Sequence, residues 1–242
     1  MGQKPTTVLY NAQIEDAFNE LNGVIGKQLE GIGSWTVVGH PKNFEGQRIQ
    51  DQPMVRKLIQ QAEVSLRGWN FPHTDKHGNT VNTLDGIQSQ TTNTSHLEAY
   101  RAYQSGLFMW RANLWKEIPN QGEEKTVSFI GLIYHMTEMI LFFSRFYNSF
   151  DAGEEVEIKI TLDGLKGRKL VSNDPWVDLF DDYFSGVDTF RWKETISVPK
   201  LTSAYKEIAM EVILKLFHIF NLEDMTSETV ASWQDKLLKK QF

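Results

Sequence analysis

The chain has no cysteine among its 242 residues. Disulfides, thiolate nucleophiles, cysteine zinc sites and ordinary iron–sulfur clusters are therefore excluded. It also has no basic surplus: 25 Lys and Arg against 31 Asp and Glu leave a formal charge of −6 and a pI near 5.6. A general nucleic-acid coat is disfavoured, because such proteins carry excess cations to replace the counterions on phosphate. No apolar run approaches the roughly 18 residues of a membrane-spanning helix. The greasiest stretch, Val127 to Tyr147, is broken by His135, Thr137, Glu138, Ser144 and Arg145. The first residues lack an apolar signal-peptide core, and Gly2 with Thr6 matches only a permissive acylation pattern, read as a short tail. These absences predict a cytoplasmic protein without a membrane partner.

Nor is there an internal repeat, or a Pro-, Gly- or Ser-rich linker to mark a boundary. The expectation is one α+β domain over residues 1–242, with an N-terminal helical segment at 8–62. At 40% hydrophobic and 23% charged, the composition is that of an ordinary globular chain.

Local periodicity supplies the elements. Ile14, Ala17, Phe18, Leu21, Val24, Ile25 and Leu29 repeat at three and four, predicting a helix over about 10–29 that ends at Gly31 and Gly33. Trp35 to Val38 reads as a short strand. Pro53 opens a helix to Ala62, and Val64 to Trp69 alternates like a strand. His73 to Ser95 is polar with six threonines and reads as a long loop. His96 to Tyr103 reads as one or two helical turns, and Gly106 to Trp115 as a strand. A long helix is predicted over 126–147 and another over 201–220, with a last one from Thr226 to Leu238. Val156 to Leu162 alternates cleanly as a strand, Asp163-Gly164 turns, and Arg168 to Ser172 reads as its hairpin partner. Phe190 to Val198 completes a mostly antiparallel sheet of about five or six strands.

Chemistry is sparse. There is no G-x-S-x-G, no H-E-x-x-H and no calcium loop. His135 and Glu138 stand at i and i+3 on the central helix, a spacing that needs a second pair to hold a metal; the expectation is that they solvate the helix or that Glu138 pairs with a nearby arginine. Neither a metal nor a cofactor is predicted. Gly164-Leu165-Lys166-Gly167-Arg168-Lys169 lacks phosphate-loop spacing and a following helix, and reads as a basic hairpin tip. Arg67-Gly68-Trp69-Asn70-Phe71-Pro72-His73 joins a cation, two large rings and hydrogen-bonding side chains. That mixture suits stacking of a planar ligand, and equally a corner in which Arg67 neutralises a carboxylate.

Four segments, LRGWNFPH (Leu66–His73), HLEAYRAYQSGLFMW (His96–Trp110), MTEMILFFSR (Met136–Arg145) and IKITLDGLKGRKLV (Ile158–Val171), together resemble a bacterial domain found C-terminal to Schlafen-type AlbA-like (divergent AAA) DNA- or ATP-binding modules. The resemblance spans residues 58–220 and carries no established reaction. With no such module in this sequence, it implies a stand-alone sensing or partner domain of a bacterial regulatory or defence system, by analogy.

The leading expectation is thus a non-catalytic ligand-sensing or protein-interaction domain. Its site would form where Arg67, Trp69, Asn70 and His73 meet Tyr100, Arg101, Tyr103 and Gln104. The occupant is an unknown small molecule or protein; nucleic acid is not favoured, and self-association stays open. The alternative is an enzyme acting on nucleic acid or nucleotides, with His96, Glu98, Arg101 and Glu138 as acid, base and phosphate-clamping groups.

Overall fold

The computed structural model describes residues 6–73, 79–92, 96–114, 125–172, 174, 179 and 181–241. The elements run α1 (Thr6–Leu21), a π-helical turn (Asn22–Gly26), α2 (Lys27–Leu29), β1 (Ser34–Pro41), α3 (Gln52–Ala62), β2 (Val64–Ser65), β3 (Asn70–Phe71), β4 (Thr80–Asn82), β5 (Gly86–Thr92), β6 (Leu97–Tyr103) and β7 (Phe108–Asn113). There follow β8 (Thr126–Ser128), α4 (Phe129–Asn148), β9 (Glu155–Asp163), β10 (Lys169–Val171), β11 (Phe190–Ser197), α5 (Val198–Ser203), α6 (Tyr205–His218) and α7 (Ser227–Leu238). The class is α+β. The main sheet has seven strands in the order β11-β9-β1-β7-β6-β5-β4, every pair antiparallel.

The sheet has two differently covered faces. Trp35, Val37, Tyr100, Phe108, Trp110, Ile158, Ile160 and Trp192 point to the larger core, under α3, α4, α6 and α7. Val38, Ala99, Tyr103 and Met109 point the other way, under α1, where Tyr10, Ala17, Leu21, Ile25 and Leu29 meet them. Helix α4 lies at the centre of the large core. Ser128 caps its start, its hydroxyl accepting from the Gly131 amide at 3.0 Å. Among α4 residues only Arg145 and Asn148 are exposed, so the helix is apolar nearly all round, as interior helices are. It is the one described helix long and apolar enough to cross a membrane, and 94% of that window is buried inside the protein.

Several expectations change. His96 to Tyr103 is a strand, not helical turns: Glu98, Tyr100 and Ala102 face α4 while Leu97, Ala99, Arg101 and Tyr103 face α1. Both faces are covered, so the polar/apolar alternation that marks a half-solvated strand is missing. The polar stretch from His73 to Ser95 is largely the β4–β5 hairpin; residues 74–78 and 93–95 lie outside the described residues. Val64 to Trp69 is not one strand, because Gly68 (φ 75°) turns the chain and pairs Val64 with Phe71. Arg168 to Ser172 is not the hairpin partner of β9, whose two edges are already taken by β1 and β11; β10 pairs in parallel with β8 instead. The predicted helix over 201–220 begins earlier and breaks at Ala204 into α5 and α6. The start of the chain and part of the acidic stretch from Asn173 to Asp188 lie outside the described residues.

Candidate functional site

The strand β6 drives Glu98 into the large core, where it is fully buried. A carboxylate there costs several kcal/mol unless its lone pairs are filled. Four donors fill them. The His73 amide (2.6 Å) and the Trp110 indole N–H (2.7 Å) donate to Oε1. The His96 imidazole Nε2 (2.6 Å) and the Trp69 indole N–H (3.4 Å) donate to Oε2. Burial alone would raise the Glu98 carboxyl; the hydrogen bond and charge of His96, with the His73 amide and the Trp110 indole, outweigh it and hold the group down to about 2. Such a carboxylate is ionised at neutral pH with both oxygens occupied, and is a very weak base.

Outside this carboxylate sits an aromatic shelf. The rings of Trp69 and His73 stack at 4.0 Å with 22° between planes, and the edge of His96 meets Trp69 at 4.6 Å. Trp69 and His73 are half-buried. The shelf is therefore anchored from beneath by the hydrogen bonds that Trp69, His73 and His96 all give to Glu98.

A second buried carboxylate, Glu138 of α4, pairs with Arg67 through two parallel bonds of 3.0 and 2.6 Å. The Arg67 guanidinium also lies 5.5 Å over the Tyr134 ring. His135, expected beside Glu138 as a group that solvates the helix, is buried among the rings of Trp35, Phe71 and Trp110. The polar stripe therefore does not solvate the helix; Glu138 has its arginine.

Of the expected site residues, the structure brings Arg67, Trp69, Asn70 and His73 to one corner with Tyr100 on the same face of the sheet. Asn70 donates to Glu63 at 2.5 Å, fastening β3 to the end of α3. Tyr100 is buried, which pushes its hydroxyl up to about 12. Arg101 and Tyr103 do not join them, because the alternation of β6 sends both to the α1 face. There Arg101 pairs with Glu20 (2.6 Å) and Asp85 (2.8 Å) and lies 4.2 Å over the Tyr103 ring. Gln104 does not join them either: its amide donates to the carbonyls of Ile49 and Gln50 and holds that loop. The enzyme alternative is divided the same way, since Arg101 is separated by the sheet from His96, Glu98 and Glu138.

At the basic segment, Arg168 is buried and donates to the carbonyls of Gly164 and Thr126, and Lys169 pairs with Asp182 at 2.6 Å. Only Lys166 remains an exposed cation there. Among the described residues no group of three or more His, Asp or Glu side chains is placed to hold a metal ion.

Sequence reading missed Trp110 and Glu63 as members of this corner. Trp110 was visible only as one ring in a hydrophobic strand; nothing local marks an indole whose partner is twelve positions away on the neighbouring strand. Compared with family models, with curated proteins and with solved structures, the chain matches none.

Proposed function

We propose that this chain is a non-catalytic ligand-sensing domain that seats a planar group against the Trp69–His73 shelf. The observation that carries the reading is the half-exposed ring stack fixed to a saturated carboxylate. Aromatic planes give stacking energy to any flat π-system, of about 1–3 kcal/mol per base for nucleobases. Preorganisation by Glu98 lowers the entropy cost of presenting them. The enzyme alternative needs a group that exchanges protons, and Glu98 and Glu138 are poor choices: one is held near 2, the other is committed to a bidentate arginine. The cytoplasm of a bacterium, within a regulatory or defence system, is the setting proposed from the resemblance of the four segments to the Schlafen-associated domain.

The test is calorimetric titration of the wild type with a panel of nucleobases, nucleosides and nucleotides, repeated with Trp69→Phe and Trp69→Ala. Saturable binding is expected, weakened by Trp69→Phe and lost in a folded Trp69→Ala. A folded Trp69→Ala that binds as the wild type does, or a wild type that binds no planar compound, would overturn the reading.

A further inference from the structure

On the reverse side of the same strand, the side chain next to Trp110 poses a separate electrostatic question. Arg111 points to the α1 face and is only 8% exposed. A buried guanidinium ordinarily has a carboxylate against it. Arg67 has Glu138, and Arg101 has Glu20 and Asp85. Arg168, which has no carboxylate in contact among the described residues either, gives its donors to main-chain carbonyls. Arg111 has only neutral partners among the described residues: Nε donates to the Thr36 hydroxyl at 3.3 Å, Nη1 donates to the Asn22 side-chain oxygen, and the Phe18 ring lies 4.5 Å away. Nη2 has no acceptor among the described residues. Burial lowers the pKa of Arg111, with the charge of Asp163 opposing from beyond contact.

Three features place this guanidinium at a prepared cleft. The cavity beside it measures about 470 Å³ and is lined by Arg111 with Asn22, Lys27, Glu30 and Ser34. Ser34, at the start of β1 and 6% exposed, contributes its hydroxyl-bearing side chain to the same lining. The wall opposite is the π-helical turn Asn22–Gly26, which carries Asn22 to Arg111 and Lys27 to the rim. Single π turns inside α-helices recur at functional sites because they re-aim side chains. One buried guanidinium, one exposed ammonium and the hydroxyl of a buried serine, with Glu30 exposed at the edge as the one carboxylate in the lining, form a donor set suited to a tetrahedral oxyanion.

We infer that Arg111, Ser34 and Lys27 form a phosphate-binding site in the cleft between the π turn and the start of β1, on the opposite face of the sheet from the Trp69 shelf. The test uses inorganic phosphate and glycerol 3-phosphate, neither of which has a plane to stack, so its outcome is independent of Trp69. Calorimetry at constant ionic strength set with chloride should show one saturable site. Tighter binding of glycerol 3-phosphate than of inorganic phosphate assigns the site to a phosphomonoester, and equal binding assigns it to the free ion. Arg111→Lys, which keeps the charge but loses the planar donors, should weaken binding about tenfold or more, as loss of one charge-assisted hydrogen bond predicts. Lys27→Met, at an exposed position, should weaken it several-fold without affecting the fold. A wild type that binds neither probe would overturn the inference, as would Arg111→Lys and Lys27→Met proteins that bind both with wild-type affinity.

Discussion

Arg67 and Glu138, 71 positions apart in the chain, meet in a bidentate ion pair in which the carboxylate is wholly buried and the guanidinium nearly so. The pair ties the Gly68 turn to the middle of α4, and so fixes the corner on which Trp69 is presented.

Removing one partner of a buried pair costs more than removing both, because the survivor is left charged in a poor solvent. Arg67→Met should therefore destabilise by about 3–5 kcal/mol, and Arg67→Met/Glu138→Gln by clearly less than the two single changes added together. A double-mutant cycle by urea unfolding measures this. Additive effects would mean that the two side chains do not interact.

Acid should act on Glu98 in a calculable direction. Its folded pKa lies near 2, below the ordinary 4.5, so the unfolded chain takes up the proton first. The stabilisation is fully present above about pH 4.5 and is lost as pH falls towards 2; it amounts to about 3 kcal/mol at full extent. Glu98→Gln should be less stable than wild type at pH 7, and the difference should shrink between pH 5 and pH 2.5. A constant difference over that range, in unfolding free energies measured by urea, would show that Glu98 does not titrate as described.

Elements with one wet face are legible in the sequence, and so is α4, whose length and apolar run mark it although it has almost none. β9, with its inward Val156, Ile158, Ile160 and Leu162, and α3, opened by Pro53, lie where periodicity predicts. β6 does not show a strand's alternation in the sequence, because both of its faces are buried and each carries a charge, Glu98 on one and Arg101 on the other. The site was half legible for the same reason. Arg67, Trp69 and His73 are neighbours in sequence and stay neighbours in space. Which alternate residues of β6 join them depends on the side from which α4 covers the sheet, and that is long-range information. Arg111, flanked by Trp110 and Ala112, gave no local sign that its guanidinium would be buried without a carboxylate.

Helix α4 should be the most substitution-sensitive element. Ile140 is fully buried within the large core, on a helix flanked by the sheet, α3, α6 and α7. Ile140→Ala should cost about 2–5 kcal/mol, with the upper half expected because surroundings anchored on several sides collapse poorly into the cavity. Chemical denaturation of the purified variant gives the value; a loss below about 1 kcal/mol would mean that the helix is not packed as described.

The segment Lys166, Arg168 and Lys169 separates into three different roles, although in sequence it is one basic cluster. Lys166 is exposed, and Lys166→Ala should change stability by no more than about 0.5 kcal/mol. Lys169 is half-buried and pairs with Asp182, in a setting where such bridges contribute about 0–1 kcal/mol. Arg168 differs in kind. Its side chain is buried, it closes the Gly164 turn, and it reaches across to the Thr126 carbonyl beside the β8–β10 pair. Arg168→Ala strands those carbonyls and removes the packing of the arginine stem, so a loss of about 1–3 kcal/mol is expected. The same assignment predicts that the triple alanine variant changes nucleic-acid affinity across a salt series very little, since two of the three cations are already occupied within the protein. A wild type that binds nucleic acid tightly, with a salt slope that falls by about three units in the triple variant, would instead make this segment a phosphate contact surface.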